Sequence, residues 1–569
     1  MRKATVVLVA LVWAGCGGSG GGGSSGDTQA SPLQKTLGVT LGAPSLSGQP
    51  PGFVALPFEA FHPDGLPISV TEVQWSTDGG LWWSPATLAP WNDSLSTIPS
   101  GSSRTILWNS FADRAGGFGP VSAQLRLIPS LGEPQVSPSF VVDSTSAATG
   151  LTHGSILRTA EDGQTREFQA SSDPNLDLQD EARRIALDPK RKCMYVFGVT
   201  KEGSLASRWR LERRRLDNGS LLGGDAWGEG FIDFPSIGGA GKDEATAIAL
   251  DPTYIYLGGI VRVSAETPQH RWAVKRLDAQ TGAETPGFPT ILTANPDDYR
   301  DTKVFLALNS ESLFLVGTEM NNDWQPRTRF ERRALSDGSS EKVETWTPES
   351  GTCRVRGMVI DDAAMYVASS VETFVDGEWQ HDTLLQRWTL DGAIYANYFA
   401  PAQITEGDDE PTSIARHSDS LYVTVRKNAP EIGVTLAVYR LLAADAGFLG
   451  VAEFPEPIRW CEPSIVLDGD YFYVALKRYL GPGPSSPGEE NFDYEWVIWQ
   501  RLAQSDLEAD SDFPFRNHDN PLGVVSFDYG PGDDRPEDIA VAGGIIYAVG
   551  RDKGPDGMKG QWRIQALYR

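Results

Sequence analysis

The chain has 569 residues, a formal charge of −26 and a pI near 4.7. That length requires more than one folding unit, and that charge argues against nucleic acid and anionic membrane surfaces as partners. Four cysteines and six scattered histidines offer neither a disulfide framework nor the ligand spacing of a zinc site.

Residues 1–16 open with Arg2 and Lys3, run through ATVVLVALVWAG and end at Cys16. A basic start, a short apolar run and small residues before a cut describe a secretory signal. The run is too short to cross a bilayer as a helix. Ala14-Gly15-Cys16 resembles the lipobox of bacterial lipoproteins, with Trp13 where that family has an aliphatic residue. The resemblance implies lipid attachment at Cys16 and, because Gly17 rather than an aspartate follows, sorting to the outer membrane. Residues 17–36 are rich in Gly and Ser and read as a flexible tether.

Residues 37–143 read as short strands broken by Gly, Pro, Ser and Asn. In SVTEVQWSTDGGLWW a strand meets a tight turn at Asp78-Gly79-Gly80 and returns. RTILWNS, VSAQLRLIP and PSFVVD add further strands, with Val121, Ala123, Leu125 and Leu127 on one face. The spacing suggests a two-sheet sandwich, similar in pattern to the immunoglobulin-like modules of bacterial surface proteins. Ser76 to Trp83 also resembles the Asp-box of sialidase propellers, S-x-D-x-G-x-x-W. It occurs once, outside the repeats, so it reads as a hairpin device in which a carboxylate ties down turn amides.

From residue 152 to 569 one phrase recurs, as in DEATAIALDPTYIYLGG. Aligned on their aromatics, the copies centre on Tyr195, Tyr256, Phe314, Tyr366, Tyr422, Tyr473 and Tyr547, between 51 and 74 residues apart. Repeats of this size with several short strands each are the mark of a β-propeller, so the fold expected is all-β: a sandwich followed by a seven-bladed β-propeller. An apolar residue (Ile185, Ile248, Leu306, Met358, Ile414, Ile465, Ile539) is followed by a small one (Ala186, Ala249, Ala307, Val359, Ala415, Val466, Ala540). Crowding of the innermost strands near the axis requires such a column. Trp209, Trp272, Trp388, Trp499 and Trp562 recur in or beside the third strand and read as packing between blades. Arg213 to Arg215, Lys275, Arg276, Arg332 and Arg333 read as outward residues paired with local carboxylates. The seventh copy ends after its third strand, so residues 165–170 (TREFQA) are expected to close the ring by pairing with it.

The long, irregular connections fall on one face of such a propeller and the tight turns on the other. Acids gather just before the innermost strands, and Asp243, Asp301, Asp409, Glu410 and Glu537 are the candidate ligand-binding residues at one mouth of the channel. Like charges there would raise one another's pKa unless compensated. Hydration with hydrogen bonds to neighbouring loop amides is the first expectation, with no cofactor, and calcium is the cation such a ring could hold instead. His270 and His381 lie in or beside loops on that face. The composite reading is a monomeric, envelope-anchored binding or scaffold protein, held to the membrane through its lipid alone, whose loop face recognises a protein, peptide or glycan. The alternatives are a lyase or hydrolase with a metal-assisted site at the acidic mouth, and a structural part of an envelope complex.

Overall fold

A computed structural model describes residues 37–142, apart from 47–51, 111, 114 and 116–119, and residues 181–568, apart from loop segments of which 504–523 is the longest. The described elements are strands, with a single 3-10 turn at Pro189–Arg191. No helix among these residues is long and apolar enough to cross a membrane.

The N-terminal unit is two antiparallel sheets. One is built from Gly38–Leu41, Phe53–Phe61 and Ser103–Asn109, the other around Val70–Ser76 and Val121–Pro129. Period-2 alternation places Val54, Leu56, Phe58, Ile106 and Trp108 against Val73, Ala123, Leu125 and Leu127 in one core. The Asp78 turn forms as its residue types dictate. Asp78 Oδ1 accepts the N–H groups of Leu81 (3.0 Å) and Trp82 (3.1 Å) and the hydroxyl of Ser76 (2.7 Å). The Ser76 hydroxyl and these amides hold its carboxyl below the usual range. Trp83, the aromatic of the motif, lies under Arg126 at 4.4 Å.

Seven antiparallel sheets follow in chain order, each a meander from an innermost strand outward. The innermost strands are Glu181–Asp188, Asp243–Leu250, Val304–Leu308, Thr352–Ile360, Asp408–His417, Ser464–Asp468 and Arg535–Ala542. Each packs on the next, and the seventh packs on the first, so blades 1 to 7 form a closed ring. In every blade the recurrent aromatic lies directly across from the small residue of the innermost strand: Tyr195 from Ala186, Tyr256 from Ala249, Phe314 from Ala307, Tyr366 from Val359, Tyr422 from Ala415, Tyr473 from Val466 and Tyr547 from Ala540. This face packs on the following blade; Tyr256, for example, shares a core with Leu306, Leu313 and Leu315. Where the aromatic is Tyr195, Tyr422 or Tyr547, its hydroxyl donates to a carbonyl just past the third strand of the next blade: Ala279 (2.8 Å), Ala503 (2.8 Å) and Leu216 (3.0 Å).

A second seam device pairs a third-strand position with the following blade. Trp209, Trp272, Trp496 and Trp562 cover Gly259, Gly317, Gly550 and Gly198, where an added Cβ would lie 2.5–2.8 Å from the indole. In blades 3, 4 and 5 the tryptophan position holds Thr328, Thr383 and Leu436. The glycine position of the blades after them holds Ser369, Val425 and Leu476. Large meets absent, and medium meets medium. Trp388 and Trp499 also pack between blades, as expected, but against the preceding blade, Trp388 stacking on Phe330 at 5.7 Å and Trp499 meeting Phe454 as well as Phe472 of its own blade. Trp496, three positions from Trp499 and therefore on the other face of its strand, fills the repeated site.

Blade 7 has three described strands, and residues 165–170 lie outside the described residues. Blade 7 is nonetheless joined to blade 1 by a core of Ile185, Met194, Val196, Tyr547, Val549 and Trp562, and by the Trp562 indole N–H on the Val199 carbonyl (3.2 Å). The same core takes in Phe53 and Ala89 of the N-terminal unit, with Trp91 and Leu107 packed against it. That unit docks on the tight-turn face. Asn109 donates to the Gly543 carbonyl (3.0 Å), and Lys192 meets Asp93 (2.5 Å). Gly543 and Gly544, both at positive φ, carry no side chain because a Cβ would strike Leu88 and Pro90 or Ala112.

The expected outward cations are mostly paired, but not all outward. Arg215 meets Asp217 (2.8 Å) and Arg332 meets Glu341 (2.8 Å) near the surface. Arg214 is buried against Glu212 (2.6 Å), Arg333 lies against buried Glu331 (2.6 Å), and Arg276 rests over Tyr254 and Phe288.

Gly259→Ala should lower the unfolding free energy of the propeller by about 1–3 kcal/mol through overpacking against Trp209, and Trp209→Ala by about 3–5 kcal/mol through the cavity it leaves. Denaturant midpoints check both; an unchanged midpoint for Gly259→Ala would mean the indole does not press on that backbone.

Candidate functional site

The channel mouth on the loop face is shaped by a repeated irregularity. In blades 1, 2, 4, 5 and 7 the innermost strand carries one extra residue opposite its partner: Arg183, Thr246, Arg356, Thr412 and Glu537. A bulge of this kind takes a side chain out of the strand's alternation and re-aims it. Three of these residues reach the neighbouring innermost strand: Arg183 to Glu537 (3.4 Å), Thr246 to the Val304 carbonyl (2.9 Å) and Arg356 to Glu410.

The described candidate acids, Asp243, Asp409, Glu410 and Glu537, sit in the first three residues of these strands. Asp243 is buried and accepts the Ile237 N–H (2.8 Å). Asp409 is buried, with the Thr383 hydroxyl on its carbonyl (3.2 Å). The Glu410 carboxylate lies between Arg356 and Arg426. Glu537 lies between Arg183 (3.4 Å) and Arg535 (3.8 Å). Asp301 lies outside the described residues. Glu181 joins them, held by Arg183 and by Arg551 (2.7 Å). Asp538 ties three blades together by accepting the Ile185 N–H (3.1 Å) and the Ser464 hydroxyl (2.8 Å), and burial raises its pKa despite the nearby Arg184.

The described acids of the mouth therefore stand in a mixed network, compensated by cations. Arg183, Arg184, Lys303 and Arg356, which the sequence reading passed over, stand among the carboxylates. A partial signal existed, since a cation stands within three residues of the start of the innermost strand in blades 1, 3, 4 and 7 (Arg183, Lys303, Arg354 and Arg535), but nothing in it marks the bulges that re-aim Arg183 and Arg356. Among the described residues no group of three or more His, Cys, Asp or Glu side chains is placed to hold a metal ion. His381 lies beside Glu372 (3.9 Å) and Ser370 (3.3 Å), and His270 begins a third strand; neither is part of the mouth network.

Lys303 is the centre of the network. It precedes the innermost strand of blade 3 and pairs with Glu462, which precedes that of blade 6. Three steps apart is the greatest separation a ring of seven allows, so this ion pair crosses the channel. Burial and the charges of Arg184, Arg183 and Arg356 push the Lys303 amine well below the usual lysine range, with Glu537 opposing them. Arg183 behaves oppositely. Against the penalty of burial, Glu181, Glu537 and Glu244 raise its pKa. Arg184 donates only to carbonyls in this set, those of Thr246 (2.6 Å), Arg183 (2.8 Å) and Glu537 (3.2 Å).

No family model matches the chain, and no curated protein matches it in sequence. In structure it is similar to Drosophila Semaphorin 2a, with a TM-score of 0.41 and 9% identity over 70% of this chain and 74% of that one. Kuenenia stuttgartiensis hydrazine synthase gives 0.40 and 11% over 71% and 99%, and the phage phi92 endosialidase 0.38 and 11% over 77% and 71%. Likenesses at this level carry no ligand or activity across.

The depressed Lys303 amine has a consequence for stability. Between its folded value and the unfolded one of about 10.4, the unfolded chain binds a proton that the folded chain does not. The contribution of this group therefore rises with pH across that window and falls as pH drops through it. Lys303→Met removes the linkage, so the unfolding free energy of the wild type minus that of the variant should rise as pH climbs toward the unfolded value of about 10.4. A difference that stays flat or shrinks would contradict the burial and charge environment described.

Proposed function

We propose that the protein is an exported recognition protein of the cell envelope, lipidated at Cys16 and held at the outer membrane by the tether of residues 17–36. In this reading an immunoglobulin-like N-terminal unit carries a propeller whose loop face recognises a protein, peptide or glycan. The observation that carries it is the docking of the N-terminal unit on the tight-turn face, over the seam of blades 7 and 1, opposite the face on which the charged mouth opens. Recognition is favoured over metal-assisted catalysis because Glu410 and Glu537, the acids a cation would need, already lie between arginines. A charge of −26 supports a partner other than nucleic acid, and the protein acts as a monomer in this scheme.

Two measurements test the proposal. Growth with a fatty-acid analogue should label the wild-type protein and leave Cys16→Ser unlabelled; equal labelling of the two removes the anchor. The soluble form should bind a glycan or peptide array with the same pattern in the presence and absence of a chelator. Silence on both arrays would end the recognition reading, and binding lost with the chelator would return the metal-assisted alternative.

A further inference from the structure

We infer that the axial mouth is a binding site for a small carboxylate-bearing ligand and that Glu462 of the chain itself occupies it in this structure. The inference rests on the loop face being the recognition face. Its basis is the accounting of charge around Lys303.

Glu181, Glu410 and Glu537 each have two guanidinium partners and side chains only 4–9% exposed. Glu462 differs on both counts. Among the described ion pairs its carboxylate has Lys303 as partner, and its side chain is 41% exposed while that of Lys303 is 19% exposed. It is the most exposed of these acids. Once it swings out, Lys303 faces Arg183, Arg184 and Arg356. The acids beside it are already engaged, and Arg184 makes its hydrogen bonds to carbonyls rather than to a carboxylate. The guanidinium charge of Arg184, which no proton loss relieves, is costly in that state, and an arriving carboxylate offsets it. The donors then on offer are an ammonium and guanidinium groups, the partners that form the short charge-assisted hydrogen bonds of carboxylate recognition. Glu462 thus acts as an internal competitor, and the affinity seen from outside is reduced by the fraction of molecules in which it sits on Lys303.

Isothermal titration with D-glucuronate and with N-acetylglycine tests this, with glucose and N-acetylglycinamide as uncharged counterparts. The first acid presents its carboxylate on a sugar and the second as a peptide terminus, so the arm that responds identifies the source. Glu462→Gln, at an exposed position, should tighten binding of at least one acid by about tenfold or more, and adding Lys303→Met should abolish it. No change on Glu462→Gln, equal binding of acid and uncharged counterpart, or no binding of either acid to Glu462→Gln would each overturn the inference. The Glu462→Gln comparison stands alone if Lys303→Met does not fold. Array binding retained without any response to Glu462→Gln would overturn this inference and leave the recognition reading in place, whereas array silence would remove that reading first.

Discussion

Seven innermost strands converging on one axis leave each seam between blades too little space for two full-sized side chains at the same height. Most of the architecture answers that constraint. The small residue opposite each aromatic answers it on the innermost strand, and the pairing of tryptophan with glycine answers it farther out. Because each seam is solved by residues from two blades, a blade's sequence is intelligible only beside the next one. Gly259 is a glycine because blade 1 has Trp209, and blade 4 can carry Ser369 because blade 3 has Thr328.

The mouth of the channel is the place where this packing gives way to charge. Bulges take Arg183, Arg356 and Glu537 out of the apolar alternation and bring them to neighbouring strands, where water is scarce and an unpaired charge is expensive. The network that results is neither an acidic cap nor a basic pocket. Three of its glutamates each lie between two guanidiniums, and Lys303 has Glu462 as its partner among the described ion pairs. A scaffold whose ends are fixed by packing can hold such a network in register, as a binding surface needs.

The blade count, the register of aromatic against small residue and the two-sheet N-terminal unit were legible because they repeat or alternate with a fixed period. The extra residue at each bulge was not. One inserted position at the junction of an irregular connection and a strand looks like loop length, so Arg183 and Arg356 had no pattern to belong to. The same limit applied at Trp496 and Trp499, where two tryptophans close together in one strand gave no sign of which faced the following blade. Docking of the N-terminal unit was hidden for a different reason. Gly543-Gly544 reads as any tight turn, and only the opposing Leu88, Pro90 and Ala112 show that bare backbone was needed there.

The four tryptophan–glycine seams are not scattered round the ring. They join blades 6, 7, 1, 2 and 3 in one unbroken arc centred on blade 1, whose seam with blade 7 carries the N-terminal unit. The three seams without them enclose blades 4 and 5, between blade 3 and blade 6. Lys303 and Glu462 belong to those two bordering blades. Indoles pack there too, Trp388 on Phe330 and Trp499 on Phe454, but they face the preceding blade rather than the following one. The Lys303–Glu462 pair therefore spans the arc in which the direction of indole packing is reversed.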